Sequence, residues 1–140
     1  MSNKIIFIVL GLFSLLSGFI IYILFRENTY IALVTEKFVS LAFFRQHLNM
    51  YSSDFLKYYF VDFLWAFSLC CFLYAIYSTN LKKCIVYTII VLFLGAIWEI
   101  LQTINFVNGT GDIWDIIMYL IACMTAIIIK IKRSKKNEKT

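Results

Sequence analysis

Proline is absent from the 140 residues, glycine occurs only five times, histidine once, and charged residues make up 15% of the chain. Without proline, helices have no built-in breaks, and the few glycines mark turns or close contacts between helices. The single histidine, His47, falls in a polar stretch and reads as a solvated loop residue rather than a catalytic one. So little charge, beside 62% hydrophobic residues and a mean hydropathy of +0.84, excludes a chain that covers itself with a polar surface. Strands that alternate polar and apolar residues are also missing, which removes a closed barrel as the way to cross lipid. The four cysteines, Cys70, Cys71, Cys84 and Cys123, have neither zinc-type spacing nor a paired arrangement in an outer loop. They read as small, reduced core residues.

What is present is four continuous apolar runs, at about 5–25, 55–77, 84–101 and 113–131. At about 1.5 Å per residue, each is long enough to cross roughly 30 Å of hydrocarbon as a helix. The predicted fold is an all-α membrane protein with four transmembrane helices, one domain over 1–131 and a basic tail at 132–140. The first run is too long for a signal-peptide core and ends in Phe25-Arg26 without a small-residue cleavage pattern, so it reads as a retained anchor. Lys4, the pair Lys82 and Lys83, and Lys130, Lys132, Arg133, Lys135, Lys136 and Lys139 fall on one side, which the positive-inside rule makes the cytoplasm. Both termini are then cytoplasmic, in a multi-pass protein of the cell membrane. The net charge of +5 sits mostly in the tail, where anionic membrane lipids rather than nucleic acid are the nearest partners.

This topology puts 26–54 on the outer face. There Ile31, Val34, Phe38 and Leu41 recur at helical spacing, opposite Glu36, Lys37 and Ser40, which predicts an interfacial helix, either a lid or a simple connector. The other outer loop, Thr103 to Asp112, contains Asn108-Gly109-Thr110-Gly111-Asp112, where glycines supply positive φ and Asp112 suits the N-cap of the last helix.

Four of the eight acidic residues, Asp62, Glu99, Asp112 and Asp115, lie in or against the apolar runs at a similar depth on the outer side. Ionisable groups there are costly, about 2.5 kcal/mol or more at a helix centre, so a functional site is the default reading. Glu99 and Gln102 share one helix face, as do Asp112 and Asp115. Tyr58 and Trp65 are spaced to flank Asp62.

Trp98-Glu99-Ile100-Leu101-Gln102, followed by Gly109-Thr110-Gly111-Asp112-Ile113-Trp114-Asp115, resembles the signature of the VanZ-like membrane protein family. Asp62-Phe63-Leu64-Trp65 resembles the start of that family's preceding helix, and the likeness runs from about Asp54 to Ile131. It implies a shared fold and site position, and a link to teicoplanin-type glycopeptide resistance. Many members carry a basic residue or histidine where this chain has Asp62, and Arg where it has Gly109-Thr110-Gly111, so mechanisms that use those cations do not carry over.

The expected ligand set is Asp62, Glu99, Gln102, Thr110, Asp112 and Asp115, in an outward-facing acidic pocket for a cell-envelope ligand, such as a lipid-linked cell-wall intermediate or a glycopeptide. Glu99, Asp112 and Asp115 offer hard oxygens to Mg²⁺ or Ca²⁺, which would bridge them to a phosphate head group. Two alternatives stand beside binding. One is a metal-assisted enzyme acting on lipid head groups. The other is a small transporter or channel subunit, for which Ser68, Tyr74 and Thr88 are the evident polar groups of the inner half and a homo-oligomer would supply the rest. A purely structural role, with the acids bonded to one another, Tyr58, Tyr119 and loop amides, is the remaining reading.

Overall fold

The computed structural model describes residues 3–25, 34, 53, 55–77, 80–107 and 111–137. Among them there are only helices and short connections. Helix α1 is Asn3–Phe25; a π-helical turn, Phe55–Tyr59, leads into α2, Phe60–Tyr77; α3 is Leu81–Thr103 and α4 is Ile113–Asn137. Four stretches are long and apolar enough to span a membrane, Lys4–Phe25, Lys57–Tyr77, Leu81–Thr103 and Ile113–Lys135, in agreement with the four runs expected. The expected interfacial helix, with His47, lies outside the described residues.

Two boundaries differ from the sequence reading. Asn80 caps α3, its side chain accepting from the Lys82 amide at 3.0 Å. Lys82 and Lys83 therefore belong to the first turn of the helix instead of to a loop. Helix α4 also continues to Asn137, so most of the expected basic tail is helical. Lysine and arginine are good helix formers and are favoured at a helix C-terminus, where the macrodipole is negative.

Helix α2 is the centre of the bundle. It packs against α1, α3 and α4, while α3 and α4 also pack against each other. Half of its spanning window is buried, against 22% for α1 and α3, so those two turn most of their surface to the surrounding medium. Leu12, Phe13, Leu16 and Ile20 on α1, and Ile89, Phe93 and Leu94 on α3, are exposed apolar side chains of the kind lipid covers.

Between membrane helices there is little hydrophobic gain, because lipid tails are as apolar as leucine; close packing and hydrogen bonds between helices take over. The α1–α2 seam shows both. Gly11, Ser14 and Gly18 line one face of α1, and a Cβ added at Gly18 would stand 2.8 Å from the Trp65 ring. Ser14 Oγ donates to the Leu64 carbonyl at 3.2 Å. Ser68 Oγ donates back to the Gly11 carbonyl at 2.9 Å. Above this seam Trp65 packs on Tyr22, with ring centroids 5.3 Å apart. At the opposite end Phe7 meets Tyr74 edge-on at 5.5 Å and carries the buried Lys130 ammonium 5.6 Å from its centroid.

Reversible unfolding in bicelles tests the seam. Ser14→Ala and Ser68→Ala should each cost about 0.6 kcal/mol, with about 1.7 as the upper end. Gly18→Ile, which forces a branched side chain under Trp65, should cost about 1–3 kcal/mol.

Candidate functional site

The acidic residues gather at the end of the bundle that holds the α3–α4 connection and the start of α2. Helix α3 ends in a Schellman arrangement: Phe106 N–H reaches the Leu101 carbonyl at 2.9 Å and Asn105 N–H the Gln102 carbonyl at 3.0 Å. Asn105 takes the left-handed conformation, φ 57°, that this motif requires and that asparagine tolerates. The chain then returns so close to α3 that a Cβ at Gly111 would overlap Thr103 Oγ1 and stand 2.6 Å from the Glu99 carbonyl oxygen. Closeness of approach, and not the expected positive φ, is the reason for glycine at 111.

Asp112 caps α4 as expected, its Oδ1 accepting from the Trp114 amide at 3.0 Å. Its own backbone N–H donates to Glu99 Oε2 at 3.2 Å. The other oxygen of Glu99 accepts from the Tyr119 hydroxyl at 2.9 Å. Glu99 is 3% exposed, so a carboxylate buried among helices has both oxygens satisfied, from the loop and from α4. Burying a carboxylate costs several kcal/mol without partners, and hydrogen bonds to a charged group return about 1.5–3 kcal/mol each.

Tyr119 extends the chain of contacts to α2, its hydroxyl lying 3.5 Å from Asp62 Oδ1. Asp62, Glu99 and Asp115 are all near enough to the Tyr119 hydroxyl to act on it electrostatically. From the π-helical turn, Tyr59 donates to Asp112 Oδ2 at 3.1 Å. Three elements and a loop thus bring Asp62, Glu99, Asp112 and Asp115 into one neighbourhood. Glu99 is buried, and the three aspartates are half-buried around it.

The other expected site residues stand apart. Gln102 is half-buried at the end of α3 and has no side-chain hydrogen bond to the group among the described residues. Thr110 lies outside the described residues. Tyr58 is exposed, and Trp65 faces Tyr22 on α1 instead of the acids. Tyr59 takes the place expected of Tyr58, because the wider π turn shifts the facing read with a period of 3.6.

Gly95 was not singled out by sequence, yet it is essential to the arrangement. A Cβ there would stand 2.5 Å from the Tyr119 ring. Gly95 is one turn before Glu99 on α3, so its bare backbone lets the ring lie against the helix and its hydroxyl reach Glu99. A lone glycine four residues before a membrane-embedded acid is the signal that would have found it.

Among the described residues, no three His, Cys, Asp or Glu side chains are grouped closely enough to hold a metal ion between them. In the other half of the bundle the polar groups bond locally. The Tyr74 and Thr88 hydroxyls are hydrogen-bonded to each other, and Thr88 Oγ1 donates to the Cys84 carbonyl at 2.9 Å. All four cysteines are free and buried, as expected, with Cys70 and Cys123 sulfurs 3.9 Å apart.

Tyr119→Phe should destabilise the bundle by about 1.5–3 kcal/mol, because it leaves a buried carboxylate oxygen without its donor. Gly95→Ala should act in the same direction. The double variant should cost less than the sum of the two in denaturant unfolding, since both break one contact. Compared with models of protein families, with curated proteins and with solved structures, the chain matches none.

Proposed function

We propose that this multi-pass membrane protein binds a cell-envelope ligand through its acidic group, with that end of the bundle facing outward and both termini in the cytoplasm. The observation that carries the reading is the division of labour among the acids. Glu99 is buried and fully bonded within the protein, whereas Asp62, Asp112 and Asp115 surround it half-exposed. Glu99 braces the helices from within, while the three aspartates around it are only half-buried and so lie within reach of a ligand, at the end of apolar helices where charge is costly.

The resemblance of Trp98 to Gln102 and Gly109 to Asp115 to the VanZ-like pattern supports the same end of the chain as the site, and extends the proposal to protection against teicoplanin-type glycopeptides. A lipid-linked cell-wall intermediate is the ligand class that brings both an outer-leaflet anchor and polar groups to this depth. A second reading, in which the group only locks the helices, is favoured by the complete bonding of Glu99.

Thermal stability of the purified protein separates the two. Lipid-linked sugars, with and without Mg²⁺ or Ca²⁺, should raise the midpoint of the wild type, by the equivalent of about 2.7 kcal/mol at a hundredfold excess over Kd. Asp115→Asn should remove that rise, read against the variant's own unliganded midpoint. No rise of the wild type with any of these ligands establishes the lock. Orientation has its own test. A cysteine placed at Asn108 should react with a membrane-impermeant maleimide in intact cells, while a reporter at the C-terminus stays cytoplasmic; the reverse pattern overturns the topology.

A further inference from the structure

The four described acids lie at one end of the bundle, beside an apolar cleft lined by Phe55, Tyr59, Trp114 and Met118. The other end collects the bases. Lys82 and Lys83 are in the first turn of α3, and Lys132, Arg133 and Lys135 are in the last turns of α4. Helical rise puts Lys83 about 24 Å from Glu99 on the same helix, so the described carboxylates are too far away to neutralise these cations. We propose that the corner where α3 begins and α4 ends is a seat for an anionic phospholipid, with its phosphate on Arg133 between Lys82 and Lys132 and its acyl chains on the apolar flanks of the two helices. The proposal concerns the opposite end from the acidic group and stands independently of how that group is read.

The register of α3 against α4 brings these bases together. Cys123 Sγ on α4 lies 3.7 Å from the Thr88 carbonyl on α3. From that crossing Lys82 is about 9 Å and Arg133 about 15 Å toward the same end by helical rise, a difference that two long side chains span. Rotation agrees. Tyr119, Ala126 and Arg133 are seven residues apart and share one face of α4, drifting only about 20° per heptad. Tyr119 lies against Gly95 of α3 and Ala126 is fully buried, so this face is turned into the bundle on the α3 side. Arg133 is accordingly half-buried, while Lys82, Lys132 and Lys135 around it are exposed. Lys130 is turned away, buried with its ammonium over the Phe7 ring, and takes no part.

What adjoins the cations makes the partner a lipid and not a soluble anion. On α3, Ile85, Val86 and Ile89 follow Lys82 at three-, four- and seven-residue spacing, all exposed. On α4, Ile128, Met124 and Ile121 precede Lys132 in the same way, also exposed. Each helix therefore presents an apolar stripe that ends in a cation, the shape of an acyl chain below a charged head group. Tyr77 and Tyr87, with ring centroids 5.7 Å apart, lie between stripe and cations, where aromatic side chains mark the head-group level. The seat is also held in place beforehand. The Asn80 cap fixes the first turn of α3, and α4 stays helical through Arg133 to Asn137, so little ordering cost remains for binding. The planar guanidinium of Arg133 matches a phosphate with two parallel hydrogen bonds, which a lysine ammonium does not.

The test uses the full chain in nanodiscs of phosphatidylcholine, titrated with phosphatidylglycerol, and counts by native mass spectrometry the lipids that stay on the released protein. Phosphatidylglycerol should be retained in preference to phosphatidylcholine, and each of Lys82→Gln, Lys132→Gln and Arg133→Gln should weaken it about fivefold, as one charge near a membrane surface does. Lys57→Gln removes the same charge at the acidic end and should leave retention unchanged. Arg133→Lys keeps the charge and should still lose roughly half of the effect of Arg133→Gln, because the paired hydrogen bonds are gone. Circular dichroism of each variant checks that the helices are intact. Equal retention of the two lipids overturns the proposal. So does full retention in Arg133→Lys together with an equal loss in Lys57→Gln, the pattern of diffuse attraction to net charge. Displacement of phosphatidylglycerol by glycerol phosphate at equal concentration overturns it as well, since the apolar stripes would then contribute nothing. None of these outcomes alters the expected response of the acidic group to lipid-linked sugars.

Discussion

A single buried carboxylate organises this end of the protein. Glu99 is held by the Asp112 amide from the loop and by the Tyr119 hydroxyl from α4, and Tyr119 in turn reaches Asp62 on α2. Where lipid surrounds the helices there is no water to accept an unbonded charge, so each of these contacts has to form together with the others. The close return of the loop at Gly111, the bare backbone at Gly95 and the cap at Asp112 all serve that one requirement. Remove any of them and a donor moves away from an oxygen that has no other donor among the described residues.

Two kinds of contact hold the bundle together. Near the α1–α2 seam, small residues and two reciprocal serine-to-carbonyl bonds bring helix backbones together, which is how helices associate when the hydrophobic effect offers little. At the acidic end, helices are joined through side-chain hydroxyls and carboxylates, leaving a cleft and half-exposed aspartates at the rim.

Much of this was legible in the residue order. Runs of about twenty apolar residues announce four spanning helices because hydrocarbon thickness dictates their length. The depth of Asp62, Glu99, Asp112 and Asp115 followed from counting residues inward from the helix ends, and the acids do share one neighbourhood. Helix ends were read less well. Asn80 and the basic residues up to Asn137 extend α3 and α4 past the apolar runs, because capping and helix propensity continue where hydropathy stops.

Composition and periodicity thus dictated the class, the number of spans and the level at which the acids lie, since each depends on distance along one helix. Which tyrosine faces the acids, why glycine occurs at 95 and 111, and that Trp65 turns toward α1 were set only when the helices came together. Those outcomes depend on the rotation of one helix against another and on a π turn that changes it, and neither is written in the spacing of any single segment.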